Sequence, residues 1–156
     1  LPISSALLGK PVPDFSLPAL EGVDLPALAA ADLRGPLPGP VLVNFWASWC
    51  APCIIEHPQL MRLSREGVAV YGINYKDRVA EAGAFLQRHG NPYRRLGRDE
   101  PGRIAIDWGV YGVPETYLLD RQGMIRWRWA GPITPDTLEK DLRPLLRRYE
   151  IGRAHV

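Results

Sequence analysis

The apolar run "VLVNFWA" (Val41 to Ala47) meets "SWCAPC" (Ser48 to Cys53) with no spacer, and a helical apolar pattern follows at once. This junction constrains the fold more than any other feature. Residues rich in β-branched and aromatic side chains, without polar alternation, read as a strand buried on both faces. Such a strand needs cover on both sides, and a helix starting at its end supplies one of them. The helix runs over 51–65, where Ile54, Ile55, Leu60, Met61 and Leu63 fit its period, and Pro58 is expected to kink it. "VAVYGINY" (Val68 to Tyr75) is a second buried strand. Residues 77–90 read as an amphipathic helix, with Asp77 a candidate cap and Gly90 past its end. "DEPGRIAIDWGV" supplies a short helix, and Pro114 to Asp120 a third strand. Arg121-Gln122-Gly123 then turns the chain into "MIRWRWAG". There Ile125, Trp127 and Trp129 alternate with Arg126 and Arg128, as in an antiparallel strand with one wet face. Residues 134–149 close as a helix, with Thr134 as N-cap, Pro135 at the first helical position and a bend at Pro144. The order β-α-β-α-β-β-α predicts an α/β fold with a central mixed sheet flanked by helices.

Bulk properties narrow the class. The chain has 156 residues, 46% hydrophobic and 23% charged, enough for one well-buried core. A single domain over 1–156 is therefore expected. It divides into an N-terminal extension (1–39), a core (40–149) and a short tail (150–156) with no reading of its own. Prolines at 11, 13 and 18 make the extension extended or edge-like rather than helical. The net charge of +2 is spread along the chain, which argues against nucleic acid or an acidic surface as partner. No apolar run approaches the roughly 20 residues of a membrane span. The sequence begins at Leu1 rather than Met, so a processed or truncated chain is expected, with a signal or anchor upstream.

Cys50 and Cys53 are the only two cysteines. Haem attachment needs Cys-x-x-Cys-His, and position 54 is Ile. Tetrahedral zinc needs four ligands, and His57, His89 and His155 are scattered. A purely structural bridge over so short a loop removes little unfolded-state entropy. A redox dithiol explains more. At a strand's end and a helix's start, Cys50 meets unpaired backbone N–H groups and the positive end of the helix dipole, which favour thiolate over thiol. Pro52 suits the first turn, and Cys53 lies one turn along, where it can resolve a mixed disulfide.

"FWASWCAPC", followed much later by "GVPETYLLD", resembles the thioredoxin superfamily. The resemblance implies the thioredoxin fold with an N-terminal extended or hairpin extension, and a cis peptide bond before Pro114 facing the dithiol. "GKPVPDFSLPAL", "WCAPCIIEHPQL", "GINYKD", "GNPY" and "IDWGVYGVPETYLLDRQGMIRWRWAG" narrow it to the CcmG/DsbE group of cytochrome c maturation thiol–disulfide proteins, over about Leu8 to Tyr149. What this implies is a periplasmic protein-disulfide reductase held to the inner membrane by an N-terminal helix absent from this chain. Its partners would be apocytochrome c or a thiol partner of that pathway, with electrons from a membrane thiol–disulfide donor. The chain is expected to be a monomer and to need no metal, nucleotide or flavin. Where thioredoxins carry a buried Asp before the dithiol, this chain has Asn44, which takes up no proton at neutral pH. Glu56 and Glu115 match acidic positions of the group and are the candidate proton acceptors for Cys53. The candidate catalytic residues are thus Cys50, Cys53, Glu56 and Glu115. Trp49, Ala51, Pro52, Val113 and Pro114 are candidates for contact with substrate. Trp46 is read as core. Tyr75, Lys76 and Asp77 are weaker candidates at a strand end. A general oxidant, a thiol peroxidase and a non-catalytic apocytochrome holder remain alternatives, although the peroxidase pattern Pro-x-x-x-Thr-x-x-Cys is absent.

Overall fold

A computed structural model describes residues 6–151, with the backbone alone for Ile151. The rest of the tail lies outside the described residues. Strands β3 (Val41–Trp46), β4 (Ala69–Tyr75), β5 (Arg95–Asp99), β6 (Glu115–Leu119) and β7 (Ile125–Ala130) form one sheet in the order β5-β4-β3-β6-β7. Pairing is parallel for β3–β4 and β4–β5, and antiparallel for β3–β6 and β6–β7. The apolar run 41–46 lies at the centre, fully buried, as its lack of alternation requires. Helices α1 (Ala51–Arg65), α2 (Val79–His89) and α3 (Arg103–Asp107) follow β3, β4 and β5 in turn. The chain ends in α4 (Pro135–Thr137), a π-helical segment at Leu138–Leu142 and α5 (Arg143–Ile151). The sheet, its flanking helices and the thioredoxin-like topology are as the sequence predicts.

Even and odd positions of β3 serve different cores. Leu42 and Trp46 pack with α1, α2 and the C-terminal helices, while Val41, Val43 and Phe45 pack with Trp108, Tyr117 and the N-terminal extension. The extension forms a two-stranded sheet, β1 (Ser16–Leu17) with β2 (Leu28–Ala29). It also bonds the outer edge of β5, where Leu96 N–H donates to the Pro26 carbonyl and Arg98 N–H to that of Pro18. This covers an edge that would otherwise expose a row of unpaired backbone groups.

Three expectations change. Strand β5 has no counterpart in the sequence reading, because "RLGRD" carries three charges and a glycine and shows neither alternation nor β-branching. Helix α2 starts at Val79 with Arg78 as its N-cap, so Asp77 does not cap it. In β7 the register shifts between Leu118 and Leu119, which pair with Trp127 and Ile125. Ile125 therefore joins the core of Phe45 and Trp108, and Trp127 the opposite one, rather than sharing one face. Thr134 does cap as expected, its Oγ1 accepting from Thr137 N–H at 3.1 Å.

Candidate active site

Cys50 is the N-cap of α1, with extended backbone, and it is disulfide-bonded to Cys53 across a Cα–Cα distance of 5.3 Å. Its Sγ accepts from Cys53 N–H at 3.2 Å, one of the orphan amides of the first turn. Pro52, at a position where no internal N–H is needed, stiffens this turn. Cys50 retains 4% of its surface and Cys53 1%, so both are buried and Cys50 is the less enclosed of the two residues. Ala51 and Pro52 are exposed beside it.

The segment before the dithiol is tied to the end of β4. Asp77 is buried, and its carboxylate accepts from Ser48 N–H (2.7 Å), Ser48 Oγ (2.7 Å), Asn74 Nδ2 (3.0 Å) and Arg78 N–H (2.8 Å). Trp49 donates its indole N–H to the Lys76 carbonyl at 2.9 Å, and its ring lies 6.3 Å from that of Tyr75. Lys76 takes φ 44°, a left-handed conformation rare for a residue with a Cβ, and so turns that carbonyl. Trp49 is held this way with 59% of its surface exposed. Trp46, by contrast, is core, between the rings of Phe85 (5.2 Å) and Tyr93 (5.6 Å).

Glu56 lies one turn after Cys53 on the same helix and is 1% exposed. Among the described residues, the donors its oxygens meet are neutral: Asn44 Nδ2 at 2.9 Å and Ile133 N–H at 3.1 Å. Burial pushes its carboxyl up to about 8, against the pull of these two bonds. Asn44 also donates to Thr116 Oγ1 (3.2 Å) and accepts from Tyr93 Oη (2.8 Å). His57 is packed, with Nε2 donating to the Gly90 carbonyl at 2.7 Å.

Glu115 occupies the other face of the sheet. It pairs in register with Phe45, and its side chain meets Arg128, which donates through Nε (2.9 Å) and Nη2 (2.7 Å). Tyr111 N–H (2.8 Å) and Gly112 N–H (3.4 Å) donate to its second oxygen. Arg128, expected on a wet face, is buried: Glu115 supplies its counter-charge, the Gly109 carbonyl an acceptor, and Tyr111 and Tyr117 offer ring faces at 5.4 and 5.5 Å. Pro114 is joined to Val113 by a cis peptide bond, as the resemblance implies, and directly precedes Glu115 at the end of the sheet where β3 delivers the dithiol. Its carbonyl accepts from Gly131 N–H. Val113 is half-buried, and its backbone N–H and C=O have no partner among the described residues.

The structure therefore brings Cys50, Cys53, Glu56, Trp49 and Pro114 to one end of β3, and separates Glu115 from Glu56 by the thickness of the sheet. The sequence reading assigns no role to Tyr93, Thr116, Ile133 or Arg128. Tyr93 lies within the "GNPY" block that carries the resemblance, and that block is the one signal pointing to it.

Residues 8–128 match the AhpC/TSA family. The thiol:disulfide interchange protein HelX of Rhodobacter capsulatus is 48% identical over 143 residues, covering 91% of this chain and 78% of that protein. DsbE of Pseudomonas aeruginosa is 45% identical over 148 residues, 94% of this chain and 79% of its own length. A solved structure from Chlorobium tepidum, described as a putative DsbE, superposes with a TM-score of 0.70 at 27% identity, covering 88% of this chain and 95% of that one. With identity this high over nearly the whole chain, and a cysteine pair capping α1, the chain belongs to the AhpC/TSA family, in its DsbE/HelX (CcmG) group of thiol:disulfide interchange proteins.

Proposed function

We propose that this thiol–disulfide oxidoreductase works as a periplasmic protein-disulfide reductase of cytochrome c maturation, held to the inner membrane by a helix outside this chain. The observation that carries the reading is Cys50 as the less enclosed, helix-capping member of a bonded pair whose other member sits one turn from Glu56. In the reduced protein, Cys50 thiolate attacks one sulfur of a partner disulfide. The partner's S–S bond breaks, its second sulfur leaves as thiolate and takes a proton, and Cys50 is joined to the first. Cys53 then gives its proton to the Glu56 carboxylate and attacks Cys50 Sγ. The Cys50–Cys53 bond forms, and the partner leaves with both sulfurs reduced. Two electrons pass to the partner; the sulfur released from Cys50 leaves as a thiolate and takes the proton that Cys53 gave to Glu56, the other partner sulfur takes its proton from water, and a membrane thiol–disulfide donor restores the dithiol. No metal, nucleotide or flavin enters this sequence.

Two features of the surface suit an extended polypeptide. Val113 offers its backbone N–H and C=O beside Pro114, and Trp49 provides an exposed aromatic plane next to Cys50. Glu56, whose carboxyl is pushed up to about 8 and so holds a proton about as tightly as a free thiol does, is the proton acceptor in this scheme. Glu115, bound to Arg128, holds the loop before Pro114 through Tyr111 and Gly112.

The test has two arms. A Cys53→Ser variant offered an oxidised Cys-x-x-Cys-His peptide, the haem-attachment motif of apocytochrome c, accumulates a mixed disulfide through Cys50. A Cys50→Ser variant does not. A dithiol potential near that of thioredoxin, about −270 mV, is expected for a reductant, and one near about −120 mV reassigns the protein as an oxidant. If the double Cys→Ser variant supports maturation as well as the intact protein, the function is holding rather than exchange.

A further inference from the structure

An asparagine amide has a donor end and an acceptor end. Which end faces a carboxyl decides which protonation state is favoured: N–H stabilises the carboxylate, and C=O stabilises the acid. Asn44 is fully buried, and its Nδ2 faces Glu56. Three contacts fix that choice. Asn44 Nδ2 spends one hydrogen on Glu56 Oε2 (2.9 Å) and the other on Thr116 Oγ1 (3.2 Å), while Asn44 Oδ1 accepts from Tyr93 Oη (2.8 Å). A flipped amide would set an oxygen against the Glu56 carboxylate and strip the phenol of the acceptor it has here. The Tyr93 ring is itself immobilised, stacked on Trp46 at 5.6 Å. Burial and the neighbouring Glu56 hold the phenol well above its ordinary value, so it is a standing donor.

We propose that Tyr93 is a positioning residue for proton transfer at the dithiol: its hydroxyl locks the Asn44 amide with N–H toward Glu56 and thereby keeps that carboxyl able to accept a proton from Cys53. The inference rests on the assignment of Glu56 as acceptor. The titratable groups around Glu56 are few. Cys53 lies on its own helix, and Tyr93 comes from the segment before β5. His57 turns to the Gly90 carbonyl. Strands β3 and β6 contribute an amide and a hydroxyl, and the segment after β7 a backbone N–H. Glu115 and Arg128 are paired on the other face of the sheet. Besides Glu56 itself, the amide's partners among the described residues are Tyr93 and Thr116.

In the oxidised protein neither cysteine titrates, so Glu56 is read by carboxyl ¹³C NMR, its signal identified by its absence in Glu56→Gln. Tyr93→Phe keeps the stacked ring and removes the hydroxyl. The expected result is a rise in the Glu56 midpoint of about half a pH unit or more, roughly threefold in proton affinity, with the same alkaline shift in the rate at which Cys53 releases partner from the mixed disulfide. In an Asn44→Ala background, Tyr93→Phe should move the midpoint no further. If Tyr93→Phe does not fold, 3-fluorotyrosine at position 93, a stronger donor of nearly the same shape, should lower the midpoint instead. An unmoved midpoint, or an equal further shift without Asn44, overturns the role of Tyr93. A release profile unchanged in Glu56→Gln overturns the assignment of Glu56, and the two failures are read separately.

Discussion

Glu56 and Glu115 are both buried and both tied to β3, the first by the Asn44 amide and the second by its register with Phe45, and they lie on opposite faces of the sheet. Glu56 is surrounded by an amide, a backbone N–H and, through the amide, a phenol and a hydroxyl. Glu115 meets a guanidinium at 2.7 Å. The difference teaches how one residue type is divided between two tasks. Neutral donors leave the desolvation of Glu56 uncompensated, so its proton is easily held and easily passed. A full counter-charge makes Glu115 half of a structural ion pair that anchors the loop ahead of Pro114.

The largest effect expected on this contrast comes from Arg128→Met. It leaves Glu115 buried without its cation, and unfolding in denaturant should show a loss of about 3–5 kcal/mol. A loss under 1 kcal/mol would make the pair incidental. Next is the pH dependence set by Glu56. Its carboxyl holds a proton in the folded state up to about 8, against 4.5 for the free group. The folded protein therefore binds more protons than the unfolded chain between those values, and stability falls as pH rises through that window. Glu56→Gln should remove a few kcal/mol of that fall, measured by chemical unfolding of the oxidised protein at each pH. A slope identical in the variant contradicts the placement of Glu56 among neutral donors. The smallest effect is expected at the surface counterpart. Arg143 bonds Glu66 (2.7 Å) and Glu139 (2.9 Å), and its guanidinium holds Glu66 below the usual carboxylate range. Arg143→Ala should cost under about 1 kcal/mol, less still in high salt.

The same contrast shows what the sequence can and cannot carry. The central strand, the dithiol at its end and the capping turn are legible because each is encoded locally, by an apolar run, a spacing and a proline. Asn44 stands out against the thioredoxin pattern, yet its partners Glu56, Tyr93 and Thr116 are 12, 49 and 72 residues away and meet only in the fold. Arg128 reads as solvated because alternation assigns it the polar face, and only the distant Glu115 makes its burial tolerable. Asp77 reads as a helix cap, since nothing local reveals that Ser48 claims its carboxylate. Strand β5 owes its pairing to β4 and to the extension rather than to its own residues.

The cap position of α1 is expected to make Cys50 an acidic, reactive thiol. The direct measurement is the rate of Cys50 alkylation by iodoacetamide in the reduced protein as a function of pH. A midpoint well below the roughly 8.5 of a free cysteine, with Cys53 unreactive over the same range, is the predicted result. A Cys50 that is alkylated no faster than free cysteine in mildly acidic buffer would contradict it.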